Sequence, residues 1–157
     1  MSIESHRSDE APIVVLMLSI GSLVGTAVLE CMEMIGRERF VCIGLNSIAN
    51  ASNNFRCDIC YLSPAITDQA NLFKLLDRVV ATHLPDIILP GRDDDVVALA
   101  QWKAVSGSVS AAVGSVEIAG MIRDKWKSYC WAQKHGLPFA ESAIDAAAVA
   151  DLRKRVG

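Results

Sequence analysis

A glycine-containing turn near the start of the chain has the residue types that bind anionic groups. The stretch SIGSLVG, residues 19–25, follows the apolar run 13–18. A helix that begins in this turn would direct backbone N–H groups toward a phosphate or carboxylate. A tight turn and a close helix–strand contact would explain Gly21 and Gly25 equally well. Both interpretations stay open, and Gly21 and Ser22 are predicted substrate-binding residues.

The same turn departs from two familiar nucleotide-binding patterns. A dinucleotide-binding unit has GxGxxG after its first strand and an acidic residue at the end of its second. Here Ser19 stands in place of the first glycine, and the second apolar run ends at Asn46. The pattern GxxxxGK[ST] is absent as well. The sequence therefore argues against an NAD site or a P-loop, and Asn46 is a predicted contact to another small-molecule substrate.

Two further motifs carry reactive side chains. CDIC contains Cys57 and Cys60, but no second cysteine pair and no nearby histidine complete a zinc site. No helix start is predicted there to lower a thiol pKa, so we interpret both as structural cysteines, with a redox or metal role as the alternative. GRDDD places Asp93 and its two acidic neighbours at a predicted helix start, where the helix dipole favours negative charge. Asp93 is a predicted substrate contact.

The elements that would position these residues alternate as in an α/β fold. Apolar runs predict strands at 13–18, 40–45, 57–63 and 85–90 and within 108–115, and helical spacing predicts helices over 24–35, from 67 or 68 to 83, from 93 onward, and over 115–135. This alternation indicates a Rossmann-like three-layer fold with a mostly parallel sheet. Ligands bind at the carboxyl ends of such strands, which here are residues 19–25, 45–50 and 90–94.

The first strand, turn and helix together resemble a membrane segment in one respect. Residues 11–29 contain no charged side chain, which is nearly enough to cross a bilayer. Polar and glycine residues interrupt this run in its middle, and the acidic leader lacks the basic region of a signal peptide. We therefore expect a strand, a turn and a helix, no membrane partner, and a disordered leader over residues 1–11.

Composition excludes several other classes. The net charge of the 157 residues is −3, which argues against nucleic acid as a partner. The five cysteines are odd in number and show no disulfide framework. That usage is typical of a reducing compartment, so we expect a cytoplasmic protein.

The segment SVEIAGMIRDKWKSYCWAQKHGLPFAES, residues 115–142, resembles the entry to the ATP-binding module of ATP-grasp enzymes. A helix leads to an Asp-Lys pair, a second helix and a Gly-Leu-Pro sequence. Upstream, PDIILPGRDDDVVALA is similar to the preceding strand-to-helix passage of that family, and NNFRCDICYLSP is similar to a segment that usually contains Ala-Asp. The order resembles the carbamoyl phosphate synthetase large chain and biotin carboxylase group, or related amino-acid ligases. It implies a pre-ATP-grasp Rossmann-like domain over 12–114 and the beginning of an ATP-grasp domain over 115–157.

The resemblance assigns one residue to ATP. The family has a basic residue at the position of Lys125 that reaches the ATP phosphates, whereas from the residues alone Lys125 is a surface lysine of a charged helical stretch. Asp124 is predicted to cap the second helix. Trp126, Tyr129 and Cys130 continue an apolar stripe and are predicted core residues.

The chain also departs from the family, because the second lysine, the glycine-rich lid, the adenine hinge and the Glu and Asn ligands for magnesium are missing. The resemblance therefore implies an N-terminal fragment of an ATP-dependent carboxylate–amine or ammonia ligase that acts through an acyl phosphate. ATP and Mg²⁺ would serve the full enzyme, and we expect neither to be bound, nor catalysis, by this chain alone.

The expected partners follow from the same resemblance. The remainder of the module would come in cis or in trans, and a small carboxylate or amine would be the substrate. Exposed apolar faces with Ile118, Ile122 and Trp126 predict a homo-oligomer. The alternative is a stand-alone, non-catalytic Rossmann-like module for nucleotide binding or assembly.

Overall fold

The computed structural model describes residues 11–107 and 110–156. It divides into two compact units, the first ending at Val113 and the second beginning at Gly114. The predicted disordered leader, apart from Ala11, lies outside the described residues.

A four-stranded parallel sheet forms the centre of the first unit. The strands are β1 (Ile13–Met17), β2 (Phe40–Asn46), β3 (Ile59–Leu62) and β4 (Ile87–Leu89). Their order in the sheet is β3-β2-β1-β4, and each neighbouring pair is parallel. Beyond β4, Ala111 forms an isolated parallel bridge with Ile88, which is where the last strand was expected.

Three helices cover this sheet. They are α1 (Leu23–Ile35), α2 (Gln69–His83) and α3 (Asp93–Ser106), and short 3-10 helices occupy Arg37–Arg39 and Ser52–Arg56. Apolar residues of α2 and α3 pack on one sheet face, and those of α1 pack on the other. The predicted Rossmann-like three-layer α/β fold is confirmed.

Burial on both faces explains the long uncharged run near the start of the chain. Leu16 packs with the α2–α3 side and Met17 with the α1 side, and both are fully buried. A strand covered on both faces has no polar face, so its sequence is continuously apolar. Within the described part of the chain, every helix is too short or too polar to cross a bilayer.

The helix α1 forms where its spacing predicts, and it ends at Gly36, whose φ of 123° suits glycine. Its buried side chains are Leu29 and Met32, whereas Val24 and Ile35 remain about half exposed. The predicted stripe is therefore rotated relative to the surface that the sheet covers.

The second unit contains α4 (Val116–Arg123), α5 (Lys125–Lys134) and α6 (Ala146–Val156). The helix predicted over 115–135 is interrupted at Asp124, which has extended dihedrals and accepts hydrogen bonds from the amides of Trp126 and Lys127. The predicted N-cap is confirmed. Trp126 and Tyr129 are half-buried with ring centroids 5.3 Å apart, but Cys130 is exposed, so its predicted core position was wrong.

A carboxylate joins β2 to the start of β3. Asp58 Oδ2 accepts hydrogen bonds from the Cys42 amide at 2.6 Å and from Arg37 at 2.5 Å. Burial raises the pKa of Asp58, but the hydrogen bonds from Arg37 and Cys42 outweigh that effect and hold it below its usual range. A depressed pKa in the folded state stabilises the fold above the unfolded pKa, and this contribution is lost as the pH falls through the folded pKa.

Replacing Asp58 with asparagine should therefore lower the free energy of unfolding at pH 7 by about 1 kcal/mol, a small figure because the pair is partly exposed. The deficit should shrink as the pH falls below about 4, where the unfolded carboxyl is protonated. Urea unfolding at several pH values measures this, with Glu30→Gln on exposed α1 surface as the control. A deficit that stays constant down to acid pH would contradict the role of the ionised carboxylate.

Candidate functional site

The candidate site lies at the carboxyl ends of the parallel strands. Ser19, Ser47 and Ser63 follow β1, β2 and β3 by one or two residues, and Arg92 follows β4. These four side chains line one cleft together with Asp95. Because β1 lies between β2 and β4, the chain reverses its direction of travel across the sheet here, which is where α/β folds bind ligands.

The cleft is shallow. Its enclosed space is about 10 Å³, which is room for one water molecule. A ligand would therefore lie over the mouth of the cleft, contacting the loops that form its rim.

A buried carboxylate organises the β1 and β4 side of the cleft. Asp95 is 1% exposed, and its oxygens accept hydrogen bonds from the Ser19 hydroxyl at 3.0 Å and the Gly91 amide at 3.1 Å. Arg92 lies 3.7 Å from the same carboxylate. Ser19 has a φ of 47°, a left-handed conformation that is uncommon for a non-glycine residue. Asp95 therefore holds an unfavourable backbone conformation at the end of β1.

Sequence reasoning selected Asp93 from this acidic run and missed Asp95. Asp93 is the first residue of α3 and is exposed at the β4 side of the strand ends. Asp95 is the third helical residue, a position from which a carboxylate can reach back to the residues before the helix. That position was the signal available in the sequence. The role of Asp93 as a substrate contact stays a prediction.

The β1 and β4 loops contact each other directly. A Cβ added at Gly91 would lie 2.5 Å from the carbonyl oxygen of Leu18 and 2.8 Å from that of Ser19. Only glycine permits this approach. The two loops therefore form one continuous rim rather than two walls of an open crevice.

The three other predicted substrate contacts come together on the β2 side of the β1 loop. A Cβ at Gly21 would lie 2.6 Å from the side-chain nitrogen of Asn46, which is 6% exposed and donates to Asn54 at 2.8 Å. Ser22 is the N-cap of α1, and its hydroxyl accepts from the Gly25 amide at 3.0 Å. Close packing thus accounts for both glycines. Ligand contacts by Gly21, Ser22 and Asn46 remain predictions.

Asparagine side chains hold the loop after β2 in place, and sequence reasoning treated them only as loop residues. Asn53 is 5% exposed and donates to the carbonyl of Ile20 at 2.8 Å and to the hydroxyl of Thr26 at 2.9 Å. Asn54 donates to the carbonyl of Ile48 at 2.8 Å. The Asn-rich composition was the available signal, because such amides satisfy backbone groups in irregular segments.

Lys125 belongs to the second unit. It is the first residue of α5, is exposed, and its Nζ lies 3.4 Å from the carbonyl of Ile122. Its contact with ATP stays a prediction. Over residues 11–107 and 110–156, the structure contains no group of three or more histidine, cysteine or acidic side chains that could hold a metal ion.

Comparison with protein-family models and with curated proteins gives no match. Several solved structures are similar in fold. N5-carboxyaminoimidazole ribonucleotide synthetase from Thermotoga maritima has a TM-score of 0.62 at 16% identity, covering 90% of this chain and 36% of that chain. The biotin carboxylase domain of a single-chain bacterial carboxylase has a TM-score of 0.55 at 15% identity, covering 92% and 34%.

The biotin carboxylase domain of the Hydrogenobacter thermophilus 2-oxoglutarate carboxylase, solved as a dimer with MgADP, ADP and bicarbonate, has a TM-score of 0.57. It is 9% identical, over 94% of this chain and 34% of that chain. This chain therefore spans about a third of the length of the three structures. An ATP-grasp-related fold, expected from the sequence, is confirmed at this level.

The likeness is not confined to the first unit. Residues 1–113 make up about 72% of the chain, so matches that cover 90–94% of it extend into the second unit. The order of a Rossmann-like unit followed by a helical segment is thus shared with these carboxylases and this synthetase.

Proposed function

We propose that this chain is the N-terminal portion of a cytoplasmic ATP-dependent ligase that joins a carboxylate to an amine or ammonia through an acyl phosphate. The observation that carries the proposal is the fold likeness that continues past Val113 into the second unit. In this proposal residues 12–114 are the pre-ATP-grasp domain and residues 115–157 begin the ATP-grasp domain. The closer relation to the carbamoyl phosphate synthetase large chain belongs to the proposal as well.

The first unit would supply one wall of the substrate site. Gly21, Ser22 and Asn46 would contact the small carboxylate or amine from the β1 and β2 loops, and Asp93 would contact it from α3. The buried Asp95 would act on this wall indirectly by fixing the β1 loop. Pre-positioning of this kind supports catalysis because it lowers the entropy cost of bringing the reactants together.

The second unit would supply part of the ATP site. Transfer of a phosphoryl group depends on positioning and on neutralising charge on its oxygens. Lys125 would provide one such charge, and ATP with Mg²⁺ would be held mainly by the rest of the module, in cis or in trans. The similar Hydrogenobacter domain was solved with MgADP and as a dimer, which supports a nucleotide and a homo-oligomer for the complete enzyme.

The source gene beyond codon 157 tests the proposal most directly. We expect it to continue with an apolar strand that carries a lysine, a glycine-rich loop, and later Glu and Asn ligands for magnesium. A stop codon, with no neighbouring reading frame that encodes those parts, would contradict the ligase and leave a binding or assembly role.

Within the complete enzyme, Lys125→Ala should weaken MgATP binding about tenfold or more, since a hydrogen bond to a charged group contributes about 1.5–3 kcal/mol. Calorimetric titration with MgATP measures the effect. Lys127→Ala is the matched control, because Lys127 is also an exposed lysine in the first turn of α5. Equal losses in both variants would indicate general electrostatic attraction and remove the specific role of Lys125.

A further inference from the structure

Two cysteines that are distant in sequence lie next to each other beneath the loop after β2. The Sγ atoms of Cys42 and Cys57 are 3.9 Å apart. Cys42 is in β2 and is fully buried, and Cys57 is half-buried directly after the 3-10 helix Ser52–Arg56. Cysteine pairing within the CDIC motif itself would instead have involved Cys57 and Cys60.

The packing around Cys57 directs its sulfur toward Cys42. A Cβ at Gly44 would lie 2.8 Å from the Cys57 Sγ, so the missing side chain provides the space that this sulfur occupies. Gly44 is two residues after Cys42 and therefore on the same face of β2. The Cys57 thiol also donates to the carbonyl of Asn53 at 3.3 Å, which limits the positions open to the sulfur.

We propose that Cys42 and Cys57 form a reversible intramolecular disulfide when the protein meets hydrogen peroxide. The thiolate of Cys57, the more accessible sulfur, attacks one peroxide oxygen. The O–O bond breaks, water leaves after protonation, and Cys57 becomes a sulfenic acid. The Cys42 sulfur then attacks the Cys57 sulfur, the S–O bond breaks, and the thiol proton leaves in a second water. Two thiols and one peroxide give one disulfide and two waters.

The hydrogen bond between the sulfurs prepares the pair for the first step. It lowers the pKa of Cys42 and raises that of Cys57. The pair as a whole therefore loses a first proton more readily than an isolated cysteine would. Movement of the remaining proton toward Cys42 leaves the negative charge on the accessible Cys57.

The disulfide would act on the candidate site through the loop that carries Asn53. That side chain bonds to Ile20 in the β1 loop, and the loop also carries Asn54, the partner of Asn46. Covalent attachment of Cys57 to β2 would fix both ends of this segment. The disulfide involves the thiols and the loop alone, so it would form whether or not the chain belongs to a ligase. Transient sensing disulfides of this kind occur in reducing compartments.

The experiment treats the C31S/C130S variant with hydrogen peroxide, because Cys31 and Cys130 are the exposed thiols. Remaining thiols are alkylated under denaturing conditions, and the protein is digested with trypsin. Cleavage after Arg39, Arg56 and Lys74 places Cys42 in peptide 40–56 and both CDIC cysteines in peptide 57–74. We expect these two peptides to be joined by a bond that dithiothreitol removes, with a mass two hydrogens below their sum.

Two further variants identify the sulfur on the second peptide. The link should persist in C31S/C130S/C60S and disappear in C31S/C130S/C57A. Slower amide hydrogen exchange over residues 53–56 in the oxidised protein should show that the loop is fixed. A bond confined to peptide 57–74, a link lost with Cys60→Ser, or sulfinic acid without any disulfide would each overturn the proposal.

Discussion

Replacing Gly25 with alanine should destabilise the first unit by about 3 kcal/mol or more, the upper range for overpacked sites. A Cβ at this position would lie 2.0 Å from the carbonyl oxygen of Ile20 and 2.6 Å from its carbonyl carbon. Both are backbone atoms at the end of β1, so no side-chain rotation relieves the clash. The helix α1 would have to move away, which would disturb the Ser22 cap and the packing of Leu29 and Met32.

Urea unfolding followed by circular dichroism measures this loss, and Gly120→Ala is the matched control. Gly120 also lies within a helix, but a Cβ added there would have no neighbouring atom within 4 Å. Alanine at this position should stabilise α4 by about 0.5–1 kcal/mol through its better helix propensity. Equal stability of the Gly25→Ala protein and the wild type would show that α1 does not approach β1 as closely as the structure has it.

The fold was predictable because each element has a local signature. Burial on both faces makes β1 a continuous apolar run, Asp68 caps α2 as expected, and Gly36 ends α1. The break at Asp124 was predictable only as a cap, because the apolar spacing of α4 continues into α5. The rotation of α1 was not predictable, since Val24 and Leu29 are both apolar and only the position of the sheet decides which one is buried.

The candidate site was predictable in location but not in detail. Parallel strands bring their carboxyl ends to one edge, so the loops after β1, β2 and β4 were identified from order alone. Which side chain faces inward depends on the contact between loops that are more than 60 residues apart, as with Ser19 and Asp95. The same holds for Cys42 and Cys57, whose contact depends on the register of β2 with β3 and on the glycine at position 44.

Asp95→Ala should lower the free energy of unfolding of the first unit by about 2–3 kcal/mol, because removing a buried acceptor leaves its donors without partners. The Ser19 hydroxyl and the Gly91 amide would lose their acceptor, and Arg92 would lose its nearest carboxylate. The left-handed conformation of Ser19 would also lose the bond that holds it. Urea unfolding measures the change in stability.

Asp93→Ala separates structure from recognition at the same helix start. Asp93 is exposed, so its removal should cost no more than about 0.5 kcal/mol, mainly from the helix dipole. If Asp93 contacts substrate, its alanine variant should lose affinity at nearly unchanged stability, whereas the Asp95 variant should lose both. Equal destabilisation by the two substitutions would contradict the assignment of the buried anchor to Asp95, since the two carboxylates would then be equivalent helix-capping charges. The comparison therefore tests whether one acidic run supplies a rigid support at its third aspartate and a free ligand contact at its first.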